Sequence, residues 1–251
     1  MQNNNLKGKI AVITGCNKGI GKAILSEYAK NGVNCICCVR SISDDFKAFC
    51  ENLIKECNVK VSIVKMDLSD NKLVSESVKE IFKISKKIDI LVNNAGVLFN
   101  SLFFMTSDKQ LKNLFQINFF SHVFLTQLIT REMIKNKKGN VIFISSTSAD
   151  GRDYGRFAYS SSKAAISSVT RVLASELGSY GIRVNSINPG LTDTDLMRKN
   201  TLEKNIKIEL SKTSLNRIAS PNEIANVAVF LASDLSSYIN GQNLRVDGGL
   251  Q

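Results

Sequence analysis

Proline, histidine and long apolar runs are scarce in this chain of 251 residues. Only Pro189 and Pro221 punctuate it, and no Gly/Ser-rich or Pro-rich stretch divides two compositional blocks as an interdomain linker would. No segment reaches ~18 consecutive apolar residues, and the start lacks the basic-then-apolar order of a secretion signal. These absences predict a soluble, cytoplasmic protein with no membrane association. The six cysteines, Cys16, Cys35, Cys37, Cys38, Cys50 and Cys57, fall in the first quarter without the paired spacing of zinc ribbons. They read as reduced thiols, with Cys35, Cys37 and Cys38 as small core residues, and no metal site is expected.

What is present suits one domain spanning 1–251, with a mobile polar tail over 1–5. A domain of this length buries roughly 70 to 75% of its unfolded surface. The net charge of +11 raises the question of a polyanionic partner. The charges are scattered, however, and the densest group, Lys135, Lys137 and Lys138, has no aromatic among it. A solvated helix end is the plainer reading, nucleic acid is not an expected partner, and a small acidic carrier protein stays open.

Short apolar strand candidates at Ile10 to Thr14, Asn34 to Val39, Val61 to Met66, Ile88 to Val92, Val141 to Ile144, Arg183 to Ile187 and Asn243 to Val246 alternate with longer amphipathic segments. Strands apolar on both faces and separated by helices imply an α/β fold. The expected form is a Rossmann-type, doubly wound parallel sheet of about seven strands with helices on both sides. Ligands bind such sheets at the carboxyl ends of the strands, so the chemistry should follow them directly.

After the first strand comes Thr14-Gly15-Cys16-Asn17-Lys18-Gly19-Ile20-Gly21. Glycines permit a tight turn and close backbone approach to a pyrophosphate, and a helix starting near Gly19 offers free N–H groups to negative charge. The second strand ends at Val39-Arg40-Ser41, where a fold preferring NAD(H) places a carboxylate on the ribose 2′-hydroxyl. Arg40 stands there instead, and Lys18 can approach the same 2′-phosphate, so NADP(H) is expected over NAD(H). Asp67 and Leu68 end the third strand, and Asn93-Asn94-Ala95-Gly96 ends the fourth. Asp67 could accept from an adenine amino group or cap the next helix; Asn93 could face the cofactor or brace neighbouring strands. Gly96 would leave room for a ribose.

Tyr159 and Lys163 are four apart on a predicted long helix and therefore share one face. For a phenol of pKa about 10 to exchange protons near neutrality, its ionised form needs roughly 4 kcal/mol of help, which a neighbouring ammonium supplies in the right direction. Ser146 follows the strand Val141 to Ile144 and can donate to a developing alkoxide; Ser145 is the register alternative. His122, the one histidine, reads as a helix-packing or interface residue.

The glycine loop, Asn93-Asn94-Ala95-Gly96, Asn118, Ser146, Tyr159-x-x-x-Lys163 and Pro189-Gly190, in this order, resemble the classical short-chain dehydrogenase/reductase family from about Leu6 to Leu250. The resemblance implies that Tyr159 is the general acid/base, that Ser146 holds the carbonyl, that Lys163 also binds the nicotinamide ribose, and that Asn118 keeps a relay water near Lys163. Pro189, Gly190, Thr192 and Thr194 would hold the carboxamide and phosphates, and 195–214 would be a variable substrate lid. It also implies a homotetramer built partly from helices around Leu111 to Ile134 and Tyr159 to Leu177. Within the family the likeness is nearest to 3-oxoacyl-[acyl-carrier-protein] reductases of fatty acid biosynthesis, and Lys137 matches one basic position for docking an acidic acyl carrier protein. The stretch Tyr154-Gly155-Arg156-Phe157-Ala158 departs from theirs, and Tyr180 stands where a second docking cation is expected. A reductase of another ketone, such as a sugar derivative, and a non-catalytic dinucleotide-binding scaffold are the alternatives.

Overall fold

The computed structural model describes residues 5–251. Most of the tail expected at 1–5 lies outside them; Asn5 itself donates through Nδ2 to Asp234 Oδ2 at 2.7 Å. Seven strands, β1 (Ile10–Thr14), β2 (Asn34–Val39), β3 (Val61–Lys65), β4 (Ile90–Asn93), β5 (Gly139–Ile144), β6 (Ile182–Pro189) and β7 (Asn243–Val246), form one sheet in the order β3-β2-β1-β4-β5-β6-β7. Every pairing is parallel. The chain winds outward from β1 through β2 to β3, then returns to β1's other side and winds through β4 to β7. The carboxyl ends of β1 and β4 therefore flank the crevice where the winding reverses.

Helices cover both faces because every crossover between parallel strands needs one. On one side lie α1 (Gly19–Lys30), α2 (Asp44–Cys57) and α9 (Pro221–Ala232), burying Ile24, Leu25, Tyr28 and Ile224 against the sheet. On the other lie α3 (Asn71–Ile84), α5 (Ser121–Lys135) and α6 (Phe157–Leu177), burying Val74, Ile81, Leu125, Met133 and Ile166. The period of two splits the cysteines of β2. Cys35 and Cys37 pack with the first group and Cys38 with the second, so Cys35 and Cys38, three apart, face opposite sides of the sheet.

Several boundaries differ from the sequence reading. The fourth strand starts at Ile90 rather than Ile88, and β6 runs on through Pro189. The helical stretch read around Leu111 to Ile134 is α4 (Asp108–Phe115), a π turn over Gln116–Phe120, and then α5. α4 starts with a reciprocal cap between Ser107 and Gln110. The 195–214 segment folds as two short helices, α7 (Asp195–Asn200) and α8 (Glu203–Ser211). Lys135, Lys137 and Lys138 are exposed at the turn before β5, with Lys135 paired to Glu132 at 2.6 Å. Among the described residues no helix is long and apolar enough to cross a membrane.

Candidate active site

A cleft of about 800 Å³ opens along the carboxyl ends of β1, β2, β4, β5 and β6. All but two of the site positions expected from sequence line it; Asn93 and Asn118 do not. Its floor begins at the glycine turn. Gly15 and Gly19 adopt φ of +66° and +53°, and a side chain on Gly15 would come within 2.8 Å of Ala95 Cα. A Cβ on Gly21 would run into Gly15 O and Asn94 Nδ2, so β1, α1 and the loop after β4 close on one another as far as atoms allow. Two residues the sequence reading left without a role make this junction. Thr14 Oγ1 accepts from the N–H groups of Asn94 at 2.9 Å and Ala95 at 3.0 Å. Asn94 Nδ2 donates back to Thr14 O at 2.8 Å and Gly15 O at 3.1 Å.

α1 starts in the cleft wall with Lys18 extended at its cap, no side-chain cap and no acid in its first turn. Its first N–H groups and the positive end of its dipole are left for an anion. Lys18 and Arg40 are both exposed and both line this end of the cleft, with no ion pair to either among the described residues. The residues thus fit a dinucleotide: a glycine cradle for the pyrophosphate, a helix start and two cations for phosphate. Asp67 lines the cleft, but its Oδ1 accepts from Ser69 N at 2.9 Å, while Asp70, not Asp67, caps α3. Thr194 caps α7 and closes over the glycine turn, its Cγ2 lying 3.1 Å from where a Cβ on Gly19 would be.

The side chain of Asn93 turns away from the cleft. It is buried, donates to Thr126 Oγ1 at 2.9 Å and meets His122 Nδ1 at 3.1 Å, so the side chain braces β4 against α5. One step along a strand reverses a side chain, which is why Asn94 rather than Asn93 reaches the glycine turn. Asn118 is fully buried in the π turn, with its amide bonded to Val97 N and O at 2.9 Å each and to Ser162 Oγ at 3.2 Å. Its side chain holds the loop after β4, and its proximity to Lys163 is through Gly96, whose Cβ position lies 3.4 Å from Asn118 Oδ1 and 3.8 Å from Lys163 Nζ.

α6 carries Tyr159 and Lys163 into the cleft beyond β5. Lys163 is buried and donates through Nζ to Ile144 O at 2.8 Å, with Nζ 5.8 Å from the centre of the Tyr159 ring. The two serines after β5 part ways. Ser145 is buried against α6, donating to Lys163 O at 3.0 Å, and Ser146 opens into the cleft with Tyr159, close enough to influence its phenol. Burial pushes the Tyr159 phenol up from its ordinary value, and Ser146 and Arg156 pull only part of the way back. Burial likewise brings the Lys163 ammonium down to about 8. The lowering of the phenol that the sequence spacing predicts from Lys163 is not among the influences on it here, and desolvation sets the direction. At neutral pH the phenol holds its proton, which suits donation to an alkoxide.

Beyond Tyr159 the walls become charged. Ser148 Oγ donates to Asp153 Oδ2; Asp153 lies 3.7 Å from the Arg156 guanidinium, which donates to Thr201 Oγ1 at 3.2 Å. Asn100 Nδ2 donates to Asn200 O at 2.6 Å, so the segment carrying α7 is tied to both the loop after β4 and the start of α6.

The family model described as enoyl-(acyl carrier protein) reductase matches residues 15–251. The chain belongs to the short-chain dehydrogenase/reductase family. Among the relatives of this short-chain dehydrogenase/reductase is the 3-oxoacyl-[acyl-carrier-protein] reductase of Aquifex aeolicus, 35% identical over 98% of both chains. The oxidoreductase UcpA of Salmonella typhimurium is 36% identical over 97% of this chain and 95% of its own. A solved neighbour, the L-sorbose reductase of Gluconobacter frateurii complexed with NADPH and L-sorbose, superposes with a TM-score of 0.91, at 30% identity over 99% and 98% of the two chains.

Proposed function

We propose that this oxidoreductase reduces a ketone to a secondary alcohol with NADPH, and runs the reverse reaction with NADP. The observation that carries this reading is the joint opening of Ser146, Tyr159 and Lys163 onto the same cleft as the glycine turn, Lys18 and Arg40. The nicotinamide would supply the hydride. Ser146 would hold the carbonyl oxygen by its hydroxyl, and Tyr159 would pass its phenolic proton to that oxygen as negative charge develops there. Lys163, with an ammonium poised near pH 8, would favour the phenolate left behind and offer further N–H donors to the ribose. Asn118 would serve by fixing the loop that bounds this space. Lys18 and Arg40 would take the 2′-phosphate, Asp67 and Leu68 the adenine side, and Pro189, Gly190, Thr192 and Thr194 the carboxamide and phosphates.

The curated relatives make a 3-oxoacyl group on an acyl carrier the first substrate reading, and exposed Phe103, whose ring meets Phe157 next to the cleft-lining Arg156, would suit an acyl chain. Lys137 does not help a carrier reach this chain's own cleft. It precedes β5, whose six residues put it about 20 Å from the strand's carboxyl end, so it could act only on a neighbouring subunit. A polyhydroxylated ketone is the second reading, favoured by Ser148, Asp153, Arg156 and Thr201, which alternate donors and acceptors where a carbon chain would want apolar walls. Exposed Phe120 and Val172 lie on the helical segments expected at subunit contacts and would suit the homotetramer proposed for this cytoplasmic enzyme, and 195–214 would act as the substrate lid.

The test is NADPH and NADH oxidation with 3-oxoacyl thioesters, ketoses and simple ketones. Turnover of none would favour the non-catalytic alternative. Tyr159→Phe should lower kcat by at least about a thousandfold while NADPH affinity stays within about twofold, in the range of a lost general acid. Arg40→Asp should weaken NADPH by about tenfold or more and spare NADH, as loss of a charge-assisted phosphate contact would.

A further inference from the structure

His122 stands outside the reacting groups, yet its imidazole touches the wall of the cofactor end from behind. It lies in α5, one helical turn beyond Asn118, and is buried. Nε2 is 2.6 Å from Ala95 O, and Nδ1 is 3.1 Å from Asn93 Oδ1. The network continues from Asn93 Nδ2 to Thr126 Oγ1 at 2.9 Å and from Thr126 Oγ1 to His122 O at 2.7 Å. Burial, reinforced by the charge of Lys163, lowers the imidazole to about 4 despite its bond to Ala95, so the ring is neutral and carries one N–H. A backbone carbonyl can only accept; that N–H therefore belongs on Nε2, aimed at Ala95 O. The Asn93 amide answers Nδ1 by a half-turn that exchanges its oxygen and nitrogen; its oxygen then accepts from Thr126 Oγ1, whose one proton turns from His122 O to Asn93.

Ala95 is the residue on which the cofactor end closes. Its N–H is held by Thr14 Oγ1 at 3.0 Å, its Cα lies 2.8 Å from where a Gly15 side chain would begin, and the next residue, Gly96, borders Lys163 Nζ. Its carbonyl, on the opposite side of the peptide chain, has His122 as its donor among the described residues. An apolar side chain would fill the same core volume at lower desolvation cost. A buried polar ring here makes sense through the bond it gives, because an unmatched carbonyl would pull the loop out of register with the glycine turn.

We propose that His122 is a positioning residue for the dinucleotide: by holding the Ala95 carbonyl it sets the Asn94-Ala95-Gly96 loop at the spacing from Gly15 and Lys163 that cofactor binding requires. This rests on the reading that the cleft takes NADP(H).

The test is titration of the full chain with NADPH, followed by nucleotide fluorescence, for wild type and three substitutions, each with a thermal melt. His122→Phe, which keeps the bulk and loses the donor, should raise the NADPH Kd by about tenfold, the scale of one unmatched buried carbonyl. His122→Gln places its amide N–H near the Nε2 position and should bring the Kd back to within about threefold of wild type. His122→Asn, whose amide falls near Nδ1, should not, although it is equally polar. At saturating NADPH, kcat should change less than the Kd does. Equal NADPH affinity in the Gln and Asn variants would overturn the assignment, as would a His122→Phe protein that binds NADPH within about twofold of wild type, less than one hydrogen bond is worth. If the Phe variant fails to fold, the Gln and Asn pair decides alone. Wild-type protein that binds no NADPH would bring down the cofactor reading itself, a result distinct from either of these.

Discussion

Where β1 and β4 end, the cleft is walled by main chain: Gly15 packs without a side chain against Ala95 and Gly21 against Gly15 O and Asn94, and Thr14 and Asn94 stitch the two strand ends together. At the far end, beyond Tyr159, the walls are charged side chains contributed by three separate stretches, with Asp153 and Arg156 linked across to Thr201. A wall of backbone tolerates almost no change in volume. A wall of side chains can be rebuilt one residue at a time without moving the sheet. The first suits a ligand shared by all substrates of such an enzyme, and the second suits the part that differs.

The strongest blow to that contrast would be dealt at Gly21. A methyl group there meets Gly15 O and Asn94 Nδ2 with no flexible neighbour able to give way. Gly21→Ala should weaken NADPH by about a hundredfold, the equivalent of the upper range of overpacking costs. Fluorescence titration reads this directly, and unchanged affinity would show that the junction is more pliable than its contacts imply.

The substrate end should respond selectively. Arg156→Leu removes the donor to Thr201 and leaves Asp153 with Ser148 but without its cation, and touches nothing in the glycine junction. Its kcat/KM for polyhydroxylated ketones should fall by about tenfold or more, the worth of a charged hydrogen bond, with NADPH affinity unchanged. If 3-oxoacyl thioesters are the substrates, the same change should leave their kcat/KM within about twofold or raise it, since it removes a charge a carbon chain must pass.

The same division explains what could be read from the sequence. All seven strands were visible as apolar runs between helices, and the glycine turn as a spacing, because both are local patterns. Asn93 and Asn94 were adjacent and alike in type, and only strand register distinguishes the one that braces α5 from the one that reaches Thr14. The π turn at Gln116–Phe120 carries no residue signal that separates it from ordinary helix. Arg156 and Thr201 are 45 positions apart and meet only through the fold. Their role had one sequence trace, the departure of 154–158 from the carrier-reductase pattern. The direction of the Tyr159 shift was misjudged for a related reason: spacing reports which charges are neighbours, not how much water the fold removes from them.

Lys163 tests that last point with the smallest effect. Its ammonium is held near 8 against an ordinary 10.5, so the folded state favours the neutral amine more than the unfolded state does. The resulting stability is fully present above about pH 10.5 and is lost as pH falls to about 8, leaving a burial cost of about 3 kcal/mol at neutral pH. Lys163→Met removes that cost but strips Ile144 O of its donor, worth about 2 kcal/mol in the other direction. The variant should therefore melt about 3 °C above wild type at pH 7, corresponding to about 1 kcal/mol in a protein of this size. Its advantage should shrink, then reverse, as pH approaches 10.5, while turnover is lost at every pH. An advantage that does not vary with pH would mean that packing, not the buried charge, separates the two proteins, and that the amine is less desolvated than its place behind Tyr159 requires.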